Sequence, residues 1–325
     1  MEPLLLPSNQ PPGRFYRGGS RIAEFRGDPT PQPNTPEDWV GSTTSVRGEA
    51  PTGMTRLDDG RLLSDAVRAS PTGWLGAQHV ARYGDDTMLL VKLLDAGQRL
   101  PIHAHPDGAF AAAQVSAAHG KAEAWYMLTA GTVHLGLTRA VSAEDLRELV
   151  ATQDSAALLR LMHEVAVRPG DTVFVPPGVL HAIGSGILLV EVQEPEDLSI
   201  LLEWDGFDLD GVRDGHLGLG FEVALTAVET RARTEDDIRA LVRRDVPSGP
   251  TLASGAEQYF RLDRVDGRAT FPAGFSLIVA LEPAELVFAS HARHSLRPGT
   301  TTLAPFAAGP FELAGSALVA RPPQA

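Results

Sequence analysis

Apolar and polar positions alternate in short bursts along most of this chain, and the bursts are separated by Gly and Pro. That pattern predicts many short strands joined by tight turns, the arrangement of a sandwich or barrel. Met88 to Leu94 is a continuous apolar run suited to a buried strand, and Asp95-Ala96-Gly97 turns the chain after it. Strand-forming stretches follow around His103, from Lys121 to Leu128, and from Thr132 to Leu137. Others run over Glu164–Val167, Thr172–Val175, His181–Ile183 and Ile187–Gln193. Helical spacing appears in between. Leu62–Val67 and Trp74–Gly76 read as short helices broken at Pro71-Thr72-Gly73. Ser142 reads as the N-cap of S-A-E-D-L-R-E-L-V, with Asp145 three residues on. Ser155 to His163 carries an apolar stripe of Leu158, Leu159, Leu161 and Met162. The stretch T-E-D-D-I-R-A-L-V-R-R places acids first and bases last, as a helix dipole prefers. Residues 107–119 are rich in Ala and read as a lid or a loop with one helical turn.

The two ends of the chain differ from this middle. Residues 1–60 are rich in Pro, Gly and Thr. Phe15, Tyr16, Ile22, Phe25, Trp39 and Val40 are interspersed, so an ordered, loop-rich wrap is expected. Proline restricts its predecessor and removes a donor, so 29–36 should run extended on the surface. Pro36 to Trp39 should open a short helix. Pro247-Ser248-Gly249-Pro250 reads as a linker. Beyond it, runs at Tyr259–Val265, Phe275–Leu281, Glu285–Ser290, Thr300–Leu303 and Ala317–Ala320 predict a small β-domain. The expected division is 1–246, a strand-rich domain with its N-terminal wrap and helical stretches, and 251–325, a C-terminal β-domain.

Composition narrows the function classes. With 325 residues and 43% hydrophobic residues, the chain can bury a full core. A formal net charge of −13 argues against nucleic acid, whose phosphates need a basic surface, and against an anionic membrane. There is no cysteine, which excludes disulfides and thiolate ligands and is compatible with the cytoplasm. The N-terminus has no basic region before its three-residue apolar run, so no signal peptide is expected.

The chemistry centres on P-I-H-A-H-P at 101–106. Residues i and i+2 of a strand share a face, so His103 and His105 form a pair of imidazoles on one side. Glu123 lies in the next strand-like run, and His181 ends a third segment after Pro176-Pro177-Gly178. Three histidines and a carboxylate on neighbouring strands are a ligand set for Zn²⁺ or another divalent metal. Lys121, two residues from Glu123, shares its face and points into the barrel. His291 and His294, in the C-terminal part, have no metal spacing.

H-x-H, then Glu, then G-x5-P-x-G-x2-H (Gly170, Pro176, Gly178, His181) resembles the cupin motif. V-K-L-L-D-A at 91–96, G-K-A-E-A-W-Y at 120–126, V-P-P-G-V-L-H-A-I-G at 175–184 and E-V-Q at 191–193 resemble the class I mannose-6-phosphate isomerases more narrowly, as does the helical insert at 142–163. The resemblance covers roughly residues 15–230. It implies a mainly β fold, a cupin jelly roll with a helical insertion and a smaller C-terminal β-domain. It also implies a cytoplasmic aldose–ketose isomerase of a small sugar phosphate, monomeric or homodimeric. Carried over residue by residue, His103 falls where the family usually has Gln, and His105, Glu123 and His181 complete the metal set. Lys121 and Glu191 match catalytic positions, and Gln193, on the face of Glu191, could bind substrate together with Lys121. One departure matters. The position at which the family carries arginine falls on Ile200 or Leu201, and the arginine after the following turn falls on Gly206. The carboxylates Glu194, Glu196 and Asp197 lie nearby and would repel a phosphate dianion. Lys92, Lys121, Arg139 and Arg213 are candidates to compensate. The alternatives are an isomerase of an unphosphorylated sugar, another cupin enzyme such as a dioxygenase, or a non-catalytic sugar-binding cupin.

Overall fold

A computed structural model describes residues 1–28 and 34–325. Most of the extended 29–36 expectation therefore lies outside the described residues. Two antiparallel sheets face each other as a jelly roll, the cupin architecture that the resemblance implied. The first runs Val242–Arg243, Thr172–Val175, Glu123–Met127, Leu188–Gln193, Leu90–Asp95 and Glu37–Val40 in spatial order. The second runs Ile200–Leu201, His103–Ala104, His181–Ile183, Gly131–Leu137 and Met162–Val167. Two inner strands of the first sheet, L-V-K-L-L-D and L-L-V-E-V-Q, are covered on both faces, and Leu90–Asp95 and Leu188–Gln193 are buried throughout.

The helical insert packs on the outer face of the second sheet. Ala143–Ala151 is capped by the Ser142 hydroxyl, which accepts from Asp145 N at 3.0 Å. Ser155–Arg160 is shorter than expected: Asp154 is its N-cap, and Met162 and His163 already belong to the following strand. Leu146, Val150 and Leu158 bury against Ile102, Ala104, Leu180 and Ile200 in a separate apolar cluster. The acid-first stretch forms Glu235–Leu241 with a full capping box between Thr234 and Asp237.

Several local expectations yield to tertiary context. The expected break between the two short helices falls at Ser70, between Leu63–Ala69 and Pro71–Leu75, and Pro71 itself opens the second helix at its first turn, where a missing N–H costs nothing. Pro36 to Trp39 forms no helix. Glu37–Val40 is instead an edge strand paired with Leu90–Asp95, Trp39 standing opposite Lys92. Ser20–Arg26 is a helix that the wrap's composition concealed. Gly249–Pro250 is not a free linker but pairs with Arg261–Phe271. The runs at 275–281 and 285–290 are one strand, Ser276–Phe288, with an irregularity between Ala280 and Ala284.

The C-terminal sheet has seven strands. Its first is Leu4–Leu6 from the N-terminus, paired with Thr301–Ala304. The main core is continuous from one sheet system to the other, running from Leu93 and Trp125 to Phe260, Leu277 and Leu318. The wrap then crosses the barrel mouth. Asp95 accepts from the N–H groups of Gly19 and Arg21 and so caps the helix Ser20–Arg26. A Cβ on Gly18 would lie 2.0 Å from the Asp95 carbonyl oxygen, so only glycine permits this approach. That contact fixes where Arg14, Phe15 and Tyr16 enter the site.

Candidate metal centre

His103 and His181 stand directly opposite each other on adjacent strands of the second sheet. Glu123 reaches across from the first sheet, where it pairs with Val175 and Gln193. His105 follows His103 on the same face. The four side chains are buried, and one donor atom from each lies within 4.8 Å of all the others. The four residues singled out in the sequence therefore converge.

Each imidazole is held from behind. His103 Nδ1 bonds to the Pro101 carbonyl at 2.8 Å, His105 Nδ1 to Leu198 at 2.6 Å and His181 Nδ1 to Val179 at 2.8 Å. A carbonyl only accepts, so these bonds assign the proton to Nδ1 and leave each Nε2 lone pair facing the centre. His181 Nε2 is buried with no hydrogen-bond partner. Burial, with the neighbouring His181 and His105, pushes His103 well below its ordinary pKa. Burial and then the Lys121 charge push His105 down to about 3. Glu123 is held well below the usual carboxylate range: burial opposes this, but Lys121 and the histidines outweigh it. Three neutral imidazoles, one carboxylate and an orphaned buried nitrogen are what a divalent cation requires.

A second layer of charge adjoins the ligands. Lys121 Nζ lies 2.6 Å from Glu123 Oε2 and 2.8 Å from His105 Nε2. Lys92 sits between Glu37 at 3.4 Å and Glu191 at 3.5 Å. Burial first, then the nearby Glu123, raises the Glu191 pKa, and Lys92 only partly offsets this. Two tryptophans anchor the carboxylates: Trp125 Nε1 donates to Glu123 at 3.1 Å and Trp39 Nε1 to Glu37 at 2.7 Å. Both pairs are Glu-x-Trp on strands of one sheet. Glu37 escaped notice in the sequence, although its spacing repeats that of Glu123-Ala124-Trp125. Tyr16 also donates to Glu37 at 2.5 Å, and Arg14 lies 3.5 Å from it.

A throat of about 30 Å3 opens above His103 and Glu123. Lys92, Lys121 and Glu191 line it, together with Arg14 and Tyr16 from the N-terminal loop and Glu37 from the edge strand, which sequence reasoning missed because these segments lie far from the motif in sequence. Gln193 lies behind the lining. Its amide donates to the carbonyls of Glu194 and Glu196, at 3.0 and 2.7 Å, so it braces the loop after the strand. Ile200 is buried in the outer apolar cluster, whereas Leu201 faces the throat.

The feared acidic mouth is largely committed to the fold. Glu194 accepts from Ala122 N at 2.8 Å and Glu196 from Ala118 N at 3.2 Å. Asp197 lies 3.6 Å from Arg14 and accepts from Arg47 N at 3.2 Å. Arg139 is exposed away from the throat, and Arg213 bonds its neighbour Asp214 twice at 2.8 Å. His291 is exposed and His294 half-buried, and neither joins a metal-ligand group among the described residues.

The chain is 32% identical over 202 residues to a mannose-6-phosphate isomerase of Streptococcus mutans, covering 60% of this chain and 58% of that protein. It is 32% identical over 214 residues to mannose-6-phosphate isomerase ManA of Bacillus subtilis, covering 63% of each. The chain is similar in sequence to these mannose-6-phosphate isomerases. The aligned stretch spans about three fifths of the length of these two relatives. No protein-family model matches. The fold extends the likeness over the whole chain. The mannose 6-phosphate isomerase of Bacillus subtilis superposes with a TM-score of 0.72 at 22% identity, over 98% of this chain and 99% of that one. The apo enzyme of Salmonella typhimurium superposes with a TM-score of 0.72 at 15% identity, over 98% of this chain and all of the other. At such identities the structures establish the shared fold alone. No helix among the described residues is long and apolar enough to cross a membrane.

Proposed function

We propose that this chain is a metal-dependent aldose–ketose isomerase that interconverts mannose 6-phosphate and fructose 6-phosphate. The observation that carries the reading is the buried ligand set His103, His105, Glu123 and His181 lying directly beside proton-carrying groups in one throat. The names of the relatives support the substrate. Zinc suits three imidazoles and a carboxylate, and other divalent ions of similar preference fit the same donors. Bound there, the ion would supply Lewis-acid stabilisation for charge developing on the sugar oxygens.

The remaining chemistry belongs to side chains of this chain. Isomerisation removes the proton from C2 of the aldose. That electron pair forms the C1–C2 double bond as the C1 carbonyl electrons move onto O1, which is protonated. Loss of the O2 hydroxyl proton then forms the C2 carbonyl as C1 takes a proton. Glu191, a throat carboxylate whose pKa burial and the nearby Glu123 raise, is suited to take the C2 proton and return it to C1. Lys121, with three N–H donors in the throat, is suited to follow the charge on O1 and O2 and to hold the open-chain sugar. Burial of the whole group excludes water, which would otherwise weaken these interactions. A chain without cysteine accords with a cytoplasmic location.

The test is turnover by zinc-loaded protein with mannose 6-phosphate and free mannose side by side, the ketose product being detected directly. The reading predicts formation of fructose 6-phosphate. Turnover of free mannose alone would replace the substrate, and silence on both with metal bound would favour a binding protein.

A further inference from the structure

The throat is too narrow to hold a hexose phosphate, and it opens outward through Arg14, Phe15, Asp197, Ser199 and Leu201, which line both spaces. Beyond them lies a groove of about 690 Å3, within the roughly 300–1,000 Å3 range of small-molecule sites. In a hexose 6-phosphate the reacting carbons and the phosphoryl group are at opposite ends. With C1 and C2 above the ligand cluster, the phosphoryl end must project into this groove.

The cations of the throat are already matched. Lys121 lies on Glu123, and Lys92 lies between Glu37 and Glu191. In the groove, Arg213 is bound to Asp214, and Glu49 and Asp208 complete the acidic lining. Two arginines, unlike Arg213, are not held in a bidentate carboxylate pair. Arg14 contacts Glu37 and Asp197 through Nη2 only, and its Nε is buried without a hydrogen-bond partner. The Arg47 guanidinium is exposed and makes no hydrogen bond or ion pair among the described residues. Asp197 ties the two together, since it meets Arg14 and accepts from the Arg47 backbone N–H. The rings of Phe15 and Trp39 lie 5.8 and 5.9 Å from the Arg14 guanidinium carbon and hold its plane.

On the isomerase reading above, we propose that Arg14 and Arg47, both from the N-terminal wrap, bind the phosphoryl group of the substrate in this groove. Planar guanidinium groups match phosphate oxygens with paired donors, and Asp197 holds the Arg14 guanidinium and the backbone of Arg47 on one side of the groove. Discrimination between a sugar phosphate and its free sugar then lies in the wrap and not in the barrel strands.

The experiment uses the full, metal-loaded chain and the variants Arg47→Gln and Arg14→Lys. Arg47 is exposed, so its variant is safe for folding; Arg14→Lys keeps the charge that Glu37 and Asp197 need but loses Nε. Each variant should raise KM for mannose 6-phosphate about tenfold, with a smaller change in kcat, and weaken competitive inhibition by inorganic phosphate to the same extent. The preference for mannose 6-phosphate over free mannose should fall with it, while metal content stays constant. An unchanged preference and an unchanged phosphate inhibition constant in both variants would overturn the proposal. If the parent protein turns over neither sugar, the isomerase reading fails separately. Calorimetric titration with mannose 6-phosphate and mannose then decides the subsite: a preference for the ester that Arg47→Gln removes supports it, and no preference overturns it.

Discussion

At the residue scale the centre is defined by what each side chain has behind it. Three backbone carbonyls take the Nδ1 protons, so each Nε2 faces inward before any ligand is bound. His181 is a direct test of the set, because its Nε2 is buried without a hydrogen bond and lies 3.2 Å from Glu123 Oε1. His181→Ala is expected to weaken metal retention by at least about a hundredfold, beyond the 10- to 100-fold cost of losing a supporting contact. Metal analysis of dialysed, folded variant would check this, and a full equivalent of tightly held metal would show that the ligand set is wrong. The four candidate ligands were legible because strand periodicity pairs His103 with His105 and the cupin-like G-x5-P-x-G-x2-H spacing points to His181. The choice between Ile200 and Leu201 was not. The strand there is two residues long, and only its pairing with His103–Ala104 decides which side chain enters the throat.

At the element scale, the same limit separates what was read from what was not. Strands with strong apolar runs appeared where expected. Glu37–Val40 did not, because Pro36 and two acids resemble a helix start until a neighbouring edge offers hydrogen bonds. The Ala-rich stretch between the His103 and Glu123 strands forms a short helix at Gly108–Phe110 and a wide turn at Ala111–Val115, a geometry frequent near functional sites. Its far end is clipped by His119, whose Nε2 lies 2.7 Å from Asp86. Burial disfavours charge on His119, but the bond to Asp86 outweighs it and raises the imidazole above its ordinary value. A raised histidine contributes its full stability below the unfolded pKa and loses it as pH rises through the folded one. Amide protection around residues 116–120, corrected for intrinsic exchange, should therefore fall as pH rises above the ordinary histidine range. His119→Gln should abolish that dependence. Equal protection across the range would mean that the clip does not hold the loop.

At the scale of the whole molecule, the N-terminal wrap is the organising element. Its first strand completes the C-terminal sheet, its helix is capped by Asp95, and its loop delivers Arg14 and Tyr16 to the throat. Composition could show that such a wrap would be ordered, since its aromatic residues need burial. It could not show where the wrap would dock, which depends on pairing over nearly the full length of the chain. The overall charge of −13 likewise says little about the site, where buried cations and carboxylates alternate at ion-pair distance. The central claim is that this buried cluster, once it holds a divalent metal, isomerises a sugar phosphate. The most direct measurement follows fructose 6-phosphate formed from mannose 6-phosphate by one preparation as loaded with zinc, after chelation and after zinc is restored. The account predicts turnover that disappears with the metal and returns with it. Turnover that persists in demonstrably metal-free protein would contradict it.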